Sequence, residues 1–233
     1  MRINKYIQLS GLASRRKADE LVKNGNVKVN GRVMDSVGYD VKDDDRVSVN
    51  GVDIKFEKLS YYLLNKPYGV VTTLHDELDR MTVVDLMDDV EVRLFPVGRL
   101  DYNTTGALIM TNDGDLSYHI THPKHEIFKT YKALVNGVFT EEKARKLRRG
   151  IKLEKYTTKP AKIKILKGEK GNTLVEVSIS EGKNHEVREM FKAVGNPVME
   201  LERVSIGNVR LGRLLPGHYR KLTREEIEYL MNA

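Results

Sequence analysis

Apolar positions in the first 55 or so residues follow two spacings in turn. Ala18, Leu21 and Val22 recur at helical intervals between Ser14 and Gly25, which predicts a helix from Arg15 to Asn24, capped by Ser14 and stopped by the glycine. Val27 and Val29 then alternate up to Asn30-Gly31, and Val47 and Val49 alternate up to Asn50-Gly51. Both dipeptides suit a type I′ hairpin turn. With a second short helix ahead of Ser14, the expectation is a compact unit of two helices and a small sheet, near the lower size limit for folding alone. The charged stretch Glu57-Lys58-Leu59-Ser60 marks its end, giving domains at 1–59 and 60–233.

Beyond Tyr61 the pattern favours strands. Candidates are Tyr61 to Leu64, Gly69 to Thr72, Ala107 to Thr111, Thr130 to Val135, Ala161 to Leu166 and Thr173 to Ser180. In the last, Val175, Val177 and Ile179 face one way and Glu176 and Ser178 the other, so one side is expected to be wet. Three helices come with caps: Thr140 before Glu141-Glu142 and ending at Gly150, Asn184 before Val187 and ending at Gly195, and a capping box from Thr223 to Glu226. Strands do not alternate regularly with helices, so an antiparallel-dominated α+β sheet is preferred to a doubly wound one.

Composition narrows the classes. The chain has 233 residues, 40% hydrophobic and 31% charged, which excludes a disordered tail. No stretch approaches the roughly 18 apolar residues of a membrane helix, and Met-Arg-Ile-Asn-Lys lacks the apolar core of a signal peptide, so a cytoplasmic address is expected. Zero cysteines remove disulfides, thiolate nucleophiles and Cys-based zinc sites. The net charge of +7 is uneven: residues 1–32 carry +6, 33–59 carry −3, 60–128 carry −6 and 129–233 carry +10. Basic ends around an acidic middle suit contact with a polyanion, and equally suit a generally basic protein.

Three groups of residues offer chemistry. Arg15, Arg16 and Lys17 open the first capped helix, where the macrodipole disfavours cations by about 0.3–1 kcal/mol each. A phosphate on the free N–H groups would offset that; three solvated side chains are the plainer reading. Asp101 lies between Gly98 and Gly106 in a loop feeding a strand, a place for a nucleophile or base, and also for a turn former bonded to its own backbone. His119, His122 and His125 recur every three residues, but Pro123 interrupts the helix that would align them and no Cys or carboxylate completes a set, so no metal is assigned. Walker loops, Gly-rich dinucleotide loops and nucleophile elbows are absent.

Longer strings decide among these readings. Residues 2–7, Ser10 to Arg16, Ala18, Leu21 and Val27 to Gly31 closely resemble the S4 RNA-binding domain, over residues 1 to about 52. Gly98-Arg99-Leu100-Asp101-Tyr102-Asn103-Thr104-Thr105-Gly106 resembles the active-site motif of pseudouridine synthases. Lys66-Pro67-Tyr68-Gly69, Lys129-Thr130-Tyr131, Glu181 to Arg188, Val198 to Arg203 and Gly207 to Gly212 resemble further motifs of that family in the same order. Together with the S4 domain they point to the subfamily that modifies ribosomal RNA. Glu186 and Glu189 stand where that subfamily usually has Gln and a second basic residue, and Ala107 replaces a larger aliphatic.

The resemblance implies a small S4-type domain followed by a mainly antiparallel mixed-sheet catalytic domain. It implies that Asp101 is the catalytic residue, that Tyr131 packs on the target uracil, and that Arg188 is the basic partner of Asp101. Arg99, Leu100, Leu201 and Lys66 are expected at the substrate pocket. Arg2, Lys5, Arg15, Arg16, Lys17, Lys129 and Lys183 are expected to contact RNA. Converting uridine to pseudouridine conserves every atom, so no cofactor is expected and no metal. Asp101 would act as a nucleophile at the sugar or as a base at C2′; the sequence does not choose. The expected partner is ribosomal RNA or an assembling ribosomal subunit, with no membrane contact, and the chain is expected to act as a monomer. The lead-in Pro96-Val97-Gly98 and the tail from Arg203 to Gly217 lean towards large-subunit RNA; small-subunit RNA, and a catalytically silent RNA-binding assembly factor, are the rivals.

Overall fold

A computed structural model describes residues 1–169 and 171–233. The chain divides into two compact units, one of Met1–Ser60 with Val90–Arg93, the other of Tyr61–Asp89 with Leu94–Ala233.

The first unit opens with α1 (Ile3–Leu9) and α2 (Arg15–Lys23). Ser14 caps α2, its Oγ accepting from the Lys17 N–H at 3.3 Å, and Asn24 rather than Gly25 is the C-cap. A four-stranded antiparallel sheet follows, ordered β2–β1–β3–β4, from β1 (Val27–Val29), β2 (Arg32–Val33), β3 (Val47–Val49) and β4 (Val52–Asp53). Both turns place an Asn-Gly pair at positive φ, 50° and 78° at Asn30-Gly31 and 52° and 83° at Asn50-Gly51, as a type I′ turn requires. Ile3 and Ile7 of α1, Ala18 and Val22 of α2, and the inward valines of β1 and β3 close one apolar core. With strands this short, helix-to-sheet packing rather than the ladder supplies the stability.

Among the described residues the second unit forms a nine-stranded sheet. Its strands are β5 (Tyr61–Lys66), β6 (Phe95–Pro96), β7 (Thr105–Thr111), β8 (Lys129–Val135), β9 (Lys162–Glu169), β10 (Asn172–Ile179), β11 (Val198–Ile206), β12 (Val209–Arg210) and β13 (Tyr219–Lys221). The order is β13–β5–β7–β11–β8–β10–β9, with β6 paired to β7 and β12 to β11. Every neighbouring pair is antiparallel except β7 with β11. At that parallel pair the backbones nearly touch: Gly106 has φ +107°, and a Cβ there would meet the Arg203 carbonyl oxygen at 2.2 Å. Only glycine fits such a conformation at such a distance.

Helices flank the sheet: α3 (Gly114–Thr121), α4 (Glu141–Arg149), α5 (Glu186–Ala193) and α6 (Arg224–Asn232). Charge complements the dipole of α4, with Glu141 and Glu142 in its first turn and Lys146, Arg148 and Arg149 in its last, before Gly150 at φ +87°. The capping box of α6 is formed, Thr223 Oγ1 accepting from the Glu226 N–H at 3.2 Å and Glu226 accepting from the Thr223 N–H at 2.9 Å. No helix among the described residues is long and apolar enough to cross a membrane.

Several local expectations need correction. Gly69 to Thr72 forms no strand; Val71 makes only an isolated bridge to Thr82, because these residues are bonded to a loop instead. Asn112-Asp113-Gly114, whose composition reads as a turn, instead begins α3, since the Asp113 carboxylate accepts from the N–H groups of Asp115 and Leu116. Asn184 does not cap α5: His185 takes that position at φ 53° with no side-chain cap, and Glu186 accepts from the Lys183 N–H at 2.9 Å. The strand β11 was hidden by its charges, for Arg203 occupies an inward position where alternation calls for an apolar residue.

Candidate active site

The two central strand pairs bring distant motifs into one row. Register aligns Gly106 of β7 with Arg203 of β11, and Arg203 in turn with Tyr131 of β8. The loop 98–104 leads directly into β7, and the segment 180–185 leads into α5, so both reach the same end of the sheet. Between them is a cavity of about 370 Å³, with Asp101, Tyr131, Leu201 and Arg188 in its wall.

Asp101 is held in a tight turn, its carbonyl accepting from the Thr104 N–H at 3.0 Å. The backbone thus forms the turn, while the carboxylate accepts from the Thr104 hydroxyl at 3.5 Å and faces Arg188 and His185. Arg188 Nε lies 3.7 Å from one carboxylate oxygen and His185 Nε2 3.5 Å from the other. The Arg188 Nη2 donates at 3.1 Å to the Asn103 carbonyl, the Asn103 side chain and the Thr104 hydroxyl. One guanidinium thus pairs with the carboxylate and clamps the loop that carries it, a geometry that suits the planar fork of arginine.

The loop is also fixed from behind. Lys66 is fully buried at the end of β5 and does not line the cavity where it was expected. Its ammonium donates to the carbonyls of Pro67 at 3.0 Å and Thr104 at 2.9 Å, and reaches that of Tyr102 at 3.5 Å. Burial pushes this amine down to about 8, opposed by the nearby Asp101 carboxylate. Thr72 grips the next turn, donating to the Leu100 carbonyl at 2.8 Å and accepting from its N–H at 3.3 Å. These bonds explain why the 69–72 segment forms no strand.

Tyr131 is 7% exposed and Leu201 6%, so each offers an apolar wall, and Arg99 and Leu100 line the same cavity. Arg203, which sequence reading passed over, is 5% exposed and ties β11 to β7 by donating from Nε to the Ala107 carbonyl at 2.6 Å. Thr72, Asn103 and His185 were also missed. His185 lies inside the 181–188 motif, and its positive φ aims it away from the regular helical path.

The cations expected to contact RNA fall into two groups. In the first unit Arg16 is exposed, Arg15 donates to the Asn4 side chain at 3.3 Å, Lys17 pairs with Glu20 at 2.8 Å, and Arg2 donates to the Gly38 carbonyl beside Asp40. Lys5 lies half-buried on α1. In the second unit Lys129 and Lys183 line the cavity rather than an outer face. Burial, with Arg203 close by, pushes the Lys129 amine down to about 8, and Lys183 sits 3.8 Å over the Tyr156 ring. Beside them Glu186 is 3% exposed; burial, more than its neighbour Glu181, raises its carboxyl above the usual range. His119 and His125 stack at 3.6 Å between centroids, and no cluster of three or more metal-ligating side chains occurs among the described residues.

The sequence model of RNA pseudouridylate synthases matches residues 60–193, and that of the S4 domain matches residues 1–51. The chain is 43% identical to the ribosomal large subunit pseudouridine synthase B of Bacillus subtilis, over 98% of this chain and 95% of that one. It is also 43% identical to an uncharacterized RNA pseudouridine synthase of Aquifex aeolicus, over 100% and 94% of the two chains. A crystal structure of a pseudouridylate synthase superposes with a TM-score of 0.71 at 34% identity, covering 99% of both.

Proposed function

Because the chain belongs to the RNA pseudouridylate synthase family and carries an S4 domain, we propose that it converts one uridine of large-subunit ribosomal RNA to pseudouridine. The observation that carries the assignment of roles is the Asp101 carboxylate, set in the cavity wall 3.7 Å from Arg188. Asp101 acts on the ribose as nucleophile or as base at C2′, and Arg188 holds its carboxylate and the loop that carries it in place. Tyr131 and Leu201 enclose the base while the N1–C1′ bond breaks, the base turns, and C5 joins C1′. A stacked uridine cannot reach Asp101, so the nucleotide is extruded at a cost of a few kcal/mol that backbone contacts offset.

Those contacts come from Lys129 and Lys183 at the cavity and from the S4 domain, residues 1–59, whose Arg2, Lys5, Arg15, Arg16 and Lys17 add tethered affinity for phosphate. Residues 60–233 form the catalytic domain. The substrate is free ribosomal RNA or an assembling subunit in the cytoplasm, met by a monomer. Agreement with a large-subunit enzyme over nearly the whole of both chains supports that choice of RNA. Mapping pseudouridines in both ribosomal RNAs, with and without the protein, tests it. Loss of one large-subunit site, restored by the purified protein on an unmodified transcript, is expected; loss of a small-subunit site, or no change, refutes it.

A further inference from the structure

The loop that points Asp101 into the cavity turns outward at the very next residue. Tyr102 is absent from the cavity wall and 47% exposed. Tyr68, 68% exposed, lies against it, with ring centroids 5.9 Å apart at an angle of 60°. Their backbones are fixed while their rings stand in water: the Gly69 N–H donates to the Tyr102 carbonyl at 3.0 Å, which the Lys66 ammonium also approaches. Next in the chain, residues 73–81 expose Leu74, Leu78 and Met81. That loop is braced by Arg80, whose Nε and Nη2 donate to Asp76 at 3.0 and 2.7 Å.

Two exposed rings in contact gain little from folding, since most of their apolar area stays wet. Rigid, water-facing and one residue from Asp101, they are suited to a flat partner that arrives with the substrate. We propose that Tyr68 and Tyr102 form a stacking platform for the base next to the uridine that enters the cavity. The proposal rests on the reading that RNA is the substrate. Extruding a nucleotide leaves its neighbours without a stacking partner on one side, and a tyrosine face restores that contact. Every base has a π-face, so the platform adds affinity and positioning without naming the target. Arg80, paired with Asp76, contributes little net charge, which leaves ring stacking rather than phosphate attraction as the interaction here.

Unmodified large-subunit ribosomal RNA transcript is the probe. Tyr102→Ala and Tyr68→Ala each weaken its binding by about tenfold to a hundredfold and raise KM correspondingly, with a smaller effect on kcat. Tyr102→Phe, which keeps the ring, recovers the affinity. Ultraviolet crosslinking of the Asp101→Asn protein to the transcript yields nucleotide adducts on Tyr102 or Tyr68, next to the uridine that the parent protein converts. Ala variants that bind like the parent, or a Phe variant as weak as Ala, overturn the platform; so do crosslinks confined to other residues. A parent protein that converts no uridine in the transcript refutes the choice of substrate instead, and the two failures are told apart by that control.

Discussion

At the start of α2 in the first unit, Arg15, Arg16 and Lys17 are exposed cations with only light, surface-side partners; in the second unit Lys66 and Arg203 are 0% and 5% exposed and bonded to backbone carbonyls. The same residue types do different things in the two places. A solvated cation is screened and interchangeable, and contributes through counterion release when a polyanion arrives. A buried one has lost its hydration, so its acceptors must be in place and its position fixes theirs. On the proposed reading, the first kind adds binding strength and the second fixes geometry.

The largest effect expected on this division is at Asp101. Asp101→Asn lowers isomerisation by on the order of a thousandfold or more and leaves RNA affinity nearly intact, in single-turnover assays and binding titrations on the same transcript. Residual turnover above a few per cent would break the assignment of chemistry to this carboxylate. Arg188 tests whether geometry counts beyond charge: Arg188→Ala loses about a hundredfold in kcat and Arg188→Lys about tenfold, because lysine keeps the charge but not the three 3.1 Å donations to Asn103 and Thr104. Equal activity of the two variants would count against the pairing of Arg188 with Asp101.

Smaller effects are expected in the first unit. Changing Arg15, Arg16 and Lys17 to Gln relieves the dipole conflict and shifts stability by no more than about 0.5 kcal/mol, since the Lys17–Glu20 pair it removes is exposed. The same variant binds the transcript more weakly, and its slope of log affinity against log salt flattens by about 0.7–0.9 for each phosphate that is no longer neutralised. Superimposable salt plots would make the cluster an ordinary solvated face. The smallest effect belongs to Glu186. Its folded-state pKa is raised, so the stability it allows at low pH is lost as pH rises through that value; Glu186→Gln keeps the acceptor for the Lys183 N–H and escapes the loss. Chemical denaturation shows the Gln variant more stable at neutral pH and the difference vanishing below the usual carboxylate range; the opposite sign would mean that Lys129 holds Glu186 ionised.

What the sequence revealed follows the same line. Hairpins at Asn30-Gly31 and Asn50-Gly51 and the caps at Ser14, Thr140 and Thr223 are local devices, and each is legible from a few neighbouring residues. The motif around Asp101 was legible as a string, and its partners Tyr131, Arg188 and Leu201 do meet it in one cavity. Buried charge was not legible. Arg203 broke the apolar alternation that would have announced β11, and Lys66 was expected at the pocket because its motif resembles one of the family's, whereas its burial behind the loop is not written in the motif. Thr72 and His185 act through partners 28 and 84 residues away in the chain, which no local pattern encodes.

The burial of Lys66 also imposes an order of events on the folding chain. Apart from the adjacent Pro67, its acceptors belong to residues 102 and 104, so the amine has nowhere to go until β5 and β7 have come together. The barrier to that pairing includes stripping water from a cation before all its carbonyls have arrived. Because burial pushes this amine down to about 8 in the fold, refolding is expected to quicken as alkaline conditions discharge the still-solvated amine of the unfolded chain, near the ordinary lysine range. The loop bearing Asp101 then locks only when a distant strand is seated, and a chain caught before that moment holds its RNA-facing surfaces without a finished catalytic centre.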